Sequence, residues 1–151
     1  GWFRSSGDHN ANDDVHGTFF QQIPTARRYS LSTVYNLMNL SETFAQALLR
    51  PRRNVNLRLD AHRLRLTDAA DLWYAGSGAN SRTGTVFGFA GRRSNGSTEL
   101  GTMVEATAEW AVFPHLTLNG YFGHMTGGHV VSETFSGTRL LFGYVESVVT
   151  F

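Results

Sequence analysis

One stretch of the sequence decides the fold: ELGTMVEATAEWAVFPHLTLNGYFGHM, residues Glu99–Met125. Its apolar and polar side chains alternate with a period of two as far as Val112, and the alternation resumes at Leu116. Successive side chains of a strand point to opposite faces, so two strands with one apolar and one polar face are predicted. A turn at Pro114 brings like faces together. The predicted cross-strand pairs are Val112–Leu116, Trp110–Leu118, Ala106–Phe122 and Glu109–Asn119.

Each arm of this hairpin is longer than an ordinary strand. Strands of globular domains run to about five or six residues, whereas a tilted strand that crosses a membrane needs about nine to eleven. Long alternating strands joined by a tight turn are typical of outer-membrane barrels, in which lipid contacts the apolar face and the lumen is polar. The sequence therefore predicts an all-β fold, an antiparallel transmembrane up-and-down β-barrel.

The composition agrees with a barrel and excludes several other classes. Charged residues form 17% of the 151 residues, below the roughly 25% of soluble domains. Mean hydropathy is −0.23, and no apolar run approaches the roughly 20 residues of a membrane-spanning helix. Cysteine is absent, which excludes disulfides and thiolate metal sites. A net charge of +1 gives no indication of a nucleic-acid partner.

A second hairpin is predicted around Pro51-Arg52-Arg53-Asn54. The segment after this turn, Val55–Asp60, alternates cleanly between apolar and polar side chains. Pairing it with the segment that ends at Arg50 matches the two apolar faces. The predicted cross-strand pairs are Leu49–Val55, Ala47–Leu57 and Gln46–Arg58.

Two neighbouring segments are less regular. The apolar spacing of Tyr29–Leu40 fits a helix nearly as well as a strand, and Ser41 would cap a helix that continues to Arg50. Beyond Ala61 the alternation blurs over residues 62–66, which a bulge or the membrane boundary would explain. The clean hairpin pattern favours the strand interpretation.

The remaining segments give the chain two different edges. Residues 1–7 are predicted as strand, and Thr138–Phe151 as a last strand with an apolar face. Loops are predicted at 7–28, 67–98 and 126–137, with a short strand at Val86–Phe89. Short turns at one edge and long loops at the other are typical of outer-membrane barrels, the smallest of which have about eight strands. With about six strands, residues 1–151 are predicted to be one domain, the C-terminal segment of a larger barrel.

Several segments resemble the alginate-export family. They are GDHNANDDVHGTFFQQIPT (7–25), LLRPRRNVNLRLDAHRLRLTDAADLWYAGSGA (48–79) and the hairpin at 99–125, and together they cover most of the chain. The alternation that ends in Phe151 also resembles the C-terminal insertion signal of outer-membrane barrels. The resemblance implies a channel of the bacterial outer membrane whose lumen guides an anionic polysaccharide outward. Glu105, Glu109 and Glu146 dilute the arginine-rich lumen that the family implies.

The polar faces of the strands are predicted to line the lumen. Glu105 and Glu109 lie about 13 Å apart along one strand, beyond the roughly 5–9.5 Å of a glycosidase pair, so no enzyme is predicted. Charges of both signs on this face would guide a cargo or brace the barrel across its lumen. The predicted inward residues are Gln46, Arg50, Arg58, Asp60, His62, Glu105, Glu109, Asn119 and Glu146.

Aromatic residues offer two interpretations. Trp110 and Phe113 near the turn edge, with Phe122, Phe142 and Tyr144 toward the loop edge, would form the aromatic girdles of a barrel. If Phe142 and Tyr144 face inward, they form a stacking surface for sugars instead.

The first loop carries weak calcium candidates. Asp8, Asn10, Asn12 and Asp14 alternate as in the first half of an EF-hand. Asp13 and Phe19 occupy the positions at which an EF-hand needs glycine and glutamate, so an EF-hand is excluded. A looser calcium site and a solvated acidic loop remain as alternatives, and no other cofactor is predicted.

The predicted function is a passive outer-membrane channel for an anionic polysaccharide or small anionic solutes. A first alternative is a barrel that serves as scaffold or sheath in a larger complex with other envelope proteins. A second is a soluble ligand-binding barrel of lipocalin type, whose outer face would be polar, in contrast to Leu116, Leu118 and Phe122. The predicted partners are outer-membrane lipid and the cargo.

Overall fold

A computed structural model describes residues 1–10, 12–20, 30–32, 34–75 and 90–151. Six strands of this part form one antiparallel sheet in the order β1-β2-β3-β6-β7-β8, and β4 pairs with β5 separately. The predicted antiparallel sheet of about six strands is confirmed; five of the strands have 11 to 15 residues, and β1 has three. The elements are β1 (Trp2–Arg4), β2 (Leu40–Arg52), β3 (Val55–Leu66), β4 (Trp73–Ala75), β5 (Ala90–Arg92), β6 (Glu99–Phe113), β7 (Leu116–Gly127), α1 (His129–Ser132) and β8 (Arg139–Val149).

The β6–β7 hairpin has the predicted register over most of its length. Trp110 pairs with Leu118, Ala106 with Phe122 and Glu109 with Asn119. The predicted pair nearest the turn is wrong, because Phe113 and not Val112 lies opposite Leu116. A two-residue turn at Pro114-His115 requires its flanking residues to pair, so one residue of β6 bulges between Ala111 and Phe113.

The β2–β3 hairpin is also confirmed, but its predicted register was wrong by two residues. Leu49 pairs with Leu57, Ala47 with Leu59, and Gln46 with Asp60. The reason is that β2 continues to Arg52, so that only Arg53 and Asn54 form the turn. An even shift leaves every side chain on its predicted face.

The segment before β2 is neither a helix nor a strand. Residues 30–32 and 34–39, called the covering segment below, are irregular and lie over the loop-edge half of the sheet's polar face. Tyr35 and Met38 are 1% exposed, so their apolar spacing serves the core rather than a regular element. Ser41 belongs to β2 and caps no helix. The short strand predicted at Val86–Phe89 lies outside the described residues.

The blurred alternation beyond Ala61, for which a bulge or the membrane boundary was predicted, does not come from a change of face within β3. β3 continues to Leu66, and its even-numbered residues remain on the polar face. Near the loop edge this face becomes apolar, because Leu64 and Leu66 pack in the core under the covering segment. Arg63 and Arg65 occupy the opposite face there and are exposed. Near the loop edge the inner face is therefore apolar, because the covering segment packs on it. The outer face is charged there, because it lies beyond the apolar band.

A bulge beside Gly101 moves Leu100 into the core. Leu100 was predicted on the apolar outer face, but it is fully buried, because the β3–β6 register shifts between Leu64 and Arg65. Gly101 has φ +147°, a conformation that residues with a Cβ rarely adopt. A Cβ there would also overlap the carbonyl oxygen of Thr126.

The apolar face of the sheet is exposed along a continuous band. Soluble proteins rarely expose large contiguous apolar patches, and a band about 25 Å tall is what lipid contacts on a barrel. No helix in the described ranges is long and apolar enough to cross a membrane. The exposed residues of the band include Leu49, Leu59, Val104, Trp110, Phe122, Leu141, Val145 and Val149.

Candidate functional site

The predicted inward residues lie on one face of the six-stranded sheet, because directly paired residues share a face. Arg50 lies in the irregular stretch of β2 between Leu49 and Arg52 and is exposed. The other members fall into rows that cross the strands. From the turn edge upward, these rows are Asn56–Glu109–Asn119–Glu146, Leu48–Arg58–Thr107–Tyr121–Tyr144, Gln46–Asp60–Glu105–Gly123–Phe142, and Phe44–His62–Met103–Met125–Leu140.

His62 lies between two buried carboxylates in the half nearest the loops. Its Nδ1 is 2.5 Å from Oε1 of Glu42, and its Nε2 is 3.2 Å from Oε2 of Glu105. Glu42 is fully buried, and His62 and Glu105 are 4% and 5% exposed. Buried ions are tolerated only when they are paired and hydrogen-bonded, so we regard Glu42, His62 and Glu105 as one unit, the buried triad.

The covering segment is hydrogen-bonded to this triad. Ser30 donates from Oγ to Oε1 of Glu105 at 2.8 Å, and the Tyr35 hydroxyl lies 3.3 Å from Oε1 of Glu42. Burial raises the pKa of Tyr35 far above its usual value, and the charges of Glu42 and Glu105 raise it further. Tyr35 therefore keeps its proton and remains a donor. The triad thus fastens the covering segment to the sheet.

Tyr121 contributes a further donor to Glu105 from the sheet itself. Its ring leans over Gly123, where a Cβ would lie 2.6 Å from the Tyr121 hydroxyl oxygen. Because glycine has no side chain, position 123 leaves room for the Tyr121 ring, whose hydroxyl reaches Glu105 in the next row.

Sequence reasoning identified His62 and Glu105 but missed Glu42, Ser30, Tyr35 and Tyr121 as their partners. Glu42 lies four residues before Gln46 in β2. Residues an even number apart in a strand share a face, so the strand assignment of β2 would have placed Glu42 on the polar face. Nothing in the local sequence indicates that Ser30 and Tyr35 fold back onto the sheet, because that contact is long-range.

The half nearest the turns is open and more exposed. Arg58 Nε lies 2.7 Å from Oδ2 of Asp60, and Gln46 donates to the other oxygen of Asp60 at 2.8 Å. In the lowest row Asn56 donates to Glu109 at 2.8 Å, and Asn119 donates to Glu146 at 3.4 Å. A groove of about 420 Å³ is lined by Tyr144 together with Asn56, Arg58, Glu109, Asn119 and Glu146.

The aromatic residues divide between the two faces. Trp110, Phe113 and Phe122 are exposed on the apolar face or at its turn edge. Phe142 and Tyr144 are on the polar face, where their rings lie 5.8 and 5.4 Å from the ring of Tyr121. The sequence left both orientations open, and the pairing of Tyr144 with Tyr121 places these two inward.

The first two long loops are joined by Asp71. Its carboxylate accepts hydrogen bonds from the Asp8 backbone at 2.9 Å, from Thr18 at 2.7 Å and from the Tyr74 hydroxyl at 2.8 Å. Burial, and then the bond to Asp71, raises the pKa of Tyr74. The loop edge is thereby organised around a buried acceptor that the sequence pattern did not reveal.

The calcium candidates lie in turns of this loop edge. The side chain of Asp8 accepts from the backbone of Asn10 at 3.1 Å, and that of Asn10 accepts from Asn12 at 3.3 Å. Such side-chain turns explain the alternation without a metal. Asp14 is exposed. Among the described residues no group of three His, Asp or Glu side chains is placed to hold a metal ion, and calcium binding stays a prediction.

A comparison with protein families identifies a match. The model described as Alginate export matches residues 3–139, which is most of the chain. No curated protein and no solved structure matches the chain. The family match agrees with the resemblance drawn from the loop and hairpin segments.

Proposed function

Because this chain belongs to the alginate export family, we propose that its sheet forms part of the wall of a passive outer-membrane channel that exports a polysaccharide. Membership supports an export or porin-like role at the outer membrane in general. One observation of the structure carries the proposal further. A continuous exposed apolar band covers one face of the sheet, and rows of polar side chains cover the other. This is the two-sided surface that a barrel wall needs between lipid and water.

An anionic cargo is the finer part of the proposal. Its support comes from the family and from the basic residues, all 13 of which are arginine, the side chain best suited to pairing with carboxylates. On the described polar face, however, Arg58 already contacts Asp60, and Glu109 and Glu146 are exposed. The preference for anions therefore requires a direct measurement.

The scaffold alternative is favoured by a different observation. The covering segment and the buried triad close the loop-edge half of the polar face. A barrel whose lumen is filled by its own chain would serve as a sheath or anchor among envelope proteins. The two functions differ in whether solute passes.

Single-channel conductance of the full-length protein in a planar bilayer tests the proposal. The expected result is a steady conductance. Anion preference and block by an alginate oligosaccharide would in addition support the anionic cargo, and a block that involves this face should be weakened by Arg58→Ala. Arg63→Ala is the matched control, because Arg63 lies on the same strand but on the opposite face, and it is expected to change neither property.

The outcomes separate the two functions. A protein that inserts but remains silent would rule out the channel and favour the scaffold. A conducting protein with cation preference would keep the channel and remove the anionic cargo. Equal effects of Arg58→Ala and Arg63→Ala would show that the described polar face does not contact the oligosaccharide.

A further inference from the structure

The middle of the polar face carries aromatic rings that lipid cannot reach. Phe142 and Tyr144 lie on β8, the last strand of the sheet, and share a face with Glu146. With Tyr121 they form a cluster in which every pair of ring centroids lies 5.4 to 6.1 Å apart. A lipid girdle would require them on the opposite face, so contact with lipid does not account for their position.

A row of alternating amides and carboxylates lies directly below these rings. Asn56, Glu109, Asn119 and Glu146 are paired in sequence across four neighbouring strands. Each glutamate accepts a hydrogen bond from one neighbouring amide. A carboxylate offers about four acceptor positions, so both glutamates retain acceptors that can take further donors from within the lumen.

Tyr144 and the polar row border one groove of about 420 Å³, with Leu31 of the covering segment also in its lining. Ligand sites commonly occupy about 300–1,000 Å³ and combine apolar surface with a few convergent polar groups. The C–H face of a pyranose ring packs on an aromatic ring, and its hydroxyls donate to carboxylates. The groove presents both partners side by side.

The charge of the groove selects among sugars. Glu109 and Glu146 are exposed acceptors, whereas Arg58 lies 2.7 Å from the carboxylate of Asp60, which offsets its charge. A sugar that carries its own carboxylate would be repelled from this row. A neutral sugar meets acceptors for its hydroxyls without that repulsion.

We propose that this groove is a binding subsite for a neutral pyranose ring, which stacks on Tyr144 and donates its hydroxyls to Glu109 and Glu146. The subsite rests on the proposed function, because a channel wall is what brings a polysaccharide to this face. It narrows the cargo, since a chain that dwells here contains uncharged sugar units.

Calorimetric titration of the full-length protein tests the subsite. The probes are maltohexaose as the neutral sugar and hexamannuronate as the anionic one, and the detergent must lack a sugar headgroup that would compete. Maltohexaose is expected to bind more tightly than hexamannuronate. Tyr144→Ala is expected to weaken maltohexaose binding by about tenfold, whereas Tyr144→Phe keeps the ring and stays within about twofold.

Two further variants complete the design. Phe122→Ala removes an aromatic ring that lies on the apolar face instead, and it is expected to leave both affinities unchanged. Glu146→Gln keeps a hydrogen-bond acceptor and removes the negative charge. It is therefore expected to reduce the difference in affinity between maltohexaose and hexamannuronate. Circular dichroism checks that every variant retains its strand content.

Three results would overturn the subsite: tighter binding of hexamannuronate, no binding of either probe, or a Tyr144→Ala affinity within about twofold of the unmodified protein. Conductance of the same preparation separates this failure from that of the channel. A conducting protein that binds neither sugar loses the subsite and keeps the channel. A silent protein that binds maltohexaose through Tyr144 keeps the subsite and loses the channel.

Discussion

Removal of the His62 imidazole is expected to destabilise the barrel through charge more than through volume. His62→Ala leaves the carboxylates of Glu42 and Glu105 buried without the ring whose nitrogens lie 2.5 and 3.2 Å from them. Loss of one partner of a buried ion pair costs about 3–5 kcal/mol. We expect a decrease of that size in the free energy of unfolding near neutral pH, measured by urea titration of the protein in lipid vesicles.

The control must separate the cavity from the charge. Met103 follows His62 in the same row and is 2% exposed, so Met103→Ala creates a cavity of similar position at a cost of about 2–5 kcal/mol. Met103→Ala leaves no buried charge unpaired, so neutralising Glu105 should not restore the stability that it loses.

A second substitution tests the same reasoning by rescue. Adding Glu105→Gln to His62→Ala removes one of the two unpaired charges, so the double variant should be more stable than His62→Ala alone. If the double variant is no more stable than His62→Ala alone, the triad is not held by charge.

Three other predictions follow from single contacts. Gly123→Ala places a Cβ 2.6 Å from the Tyr121 hydroxyl oxygen. We expect the free energy of unfolding, measured by urea titration, to fall by about 1–3 kcal/mol. In a chain that already carries Tyr121→Phe, the same alanine should cost much less. Gly101→Val is expected to destabilise more, because it adds strain at φ +147°, and the unfolding midpoint measures it. The pKa of Asp68 is lowered by the hydrogen bond from the backbone N–H of Ala70 and by the bond to His9. The ionised carboxylate therefore stabilises the loop fully at pH values above its ordinary pKa of about 3.9. This stabilisation is lost as the pH falls through the lowered pKa. Asp68→Asn should therefore reduce amide-exchange protection of the loop near pH 7 and remove its acid dependence.

The sequence predicts the sheet well because alternation is a local signal. Both long hairpins follow from the alternation of apolar and polar residues. The same alternation places four polar residues on one face: Glu105, Glu109, Asn119 and Glu146. Register is less secure, because it depends on where the turn closes. The β2–β3 pairing was wrong by two residues for this reason.

The covered half of the site could not be predicted from the sequence. Tyr35 and Ser30 reach Glu42 and Glu105 through contacts between distant parts of the chain, and no periodicity encodes such contacts. The apolar spacing near Tyr35 pointed to a helix or strand because core burial produces the same pattern as an amphipathic element. Leu100 was misplaced because a bulge at one glycine reversed its face.

The burial of the covering segment sets how easily it can leave the lumen. Displacing it would expose Tyr35 and Met38, each now 1% exposed, and burial of such a side chain contributes about 1.5–3 kcal/mol. Hydration of the triad's charges offsets part of this cost, because water would solvate these charges once the segment has left. A net cost of a few kcal/mol keeps the displaced form below about one part in a hundred. The resting conductance should therefore be limited by the covered half of the lumen, and Ser30→Ala, which removes one attachment to Glu105, should add brief openings of higher conductance without changing the resting level.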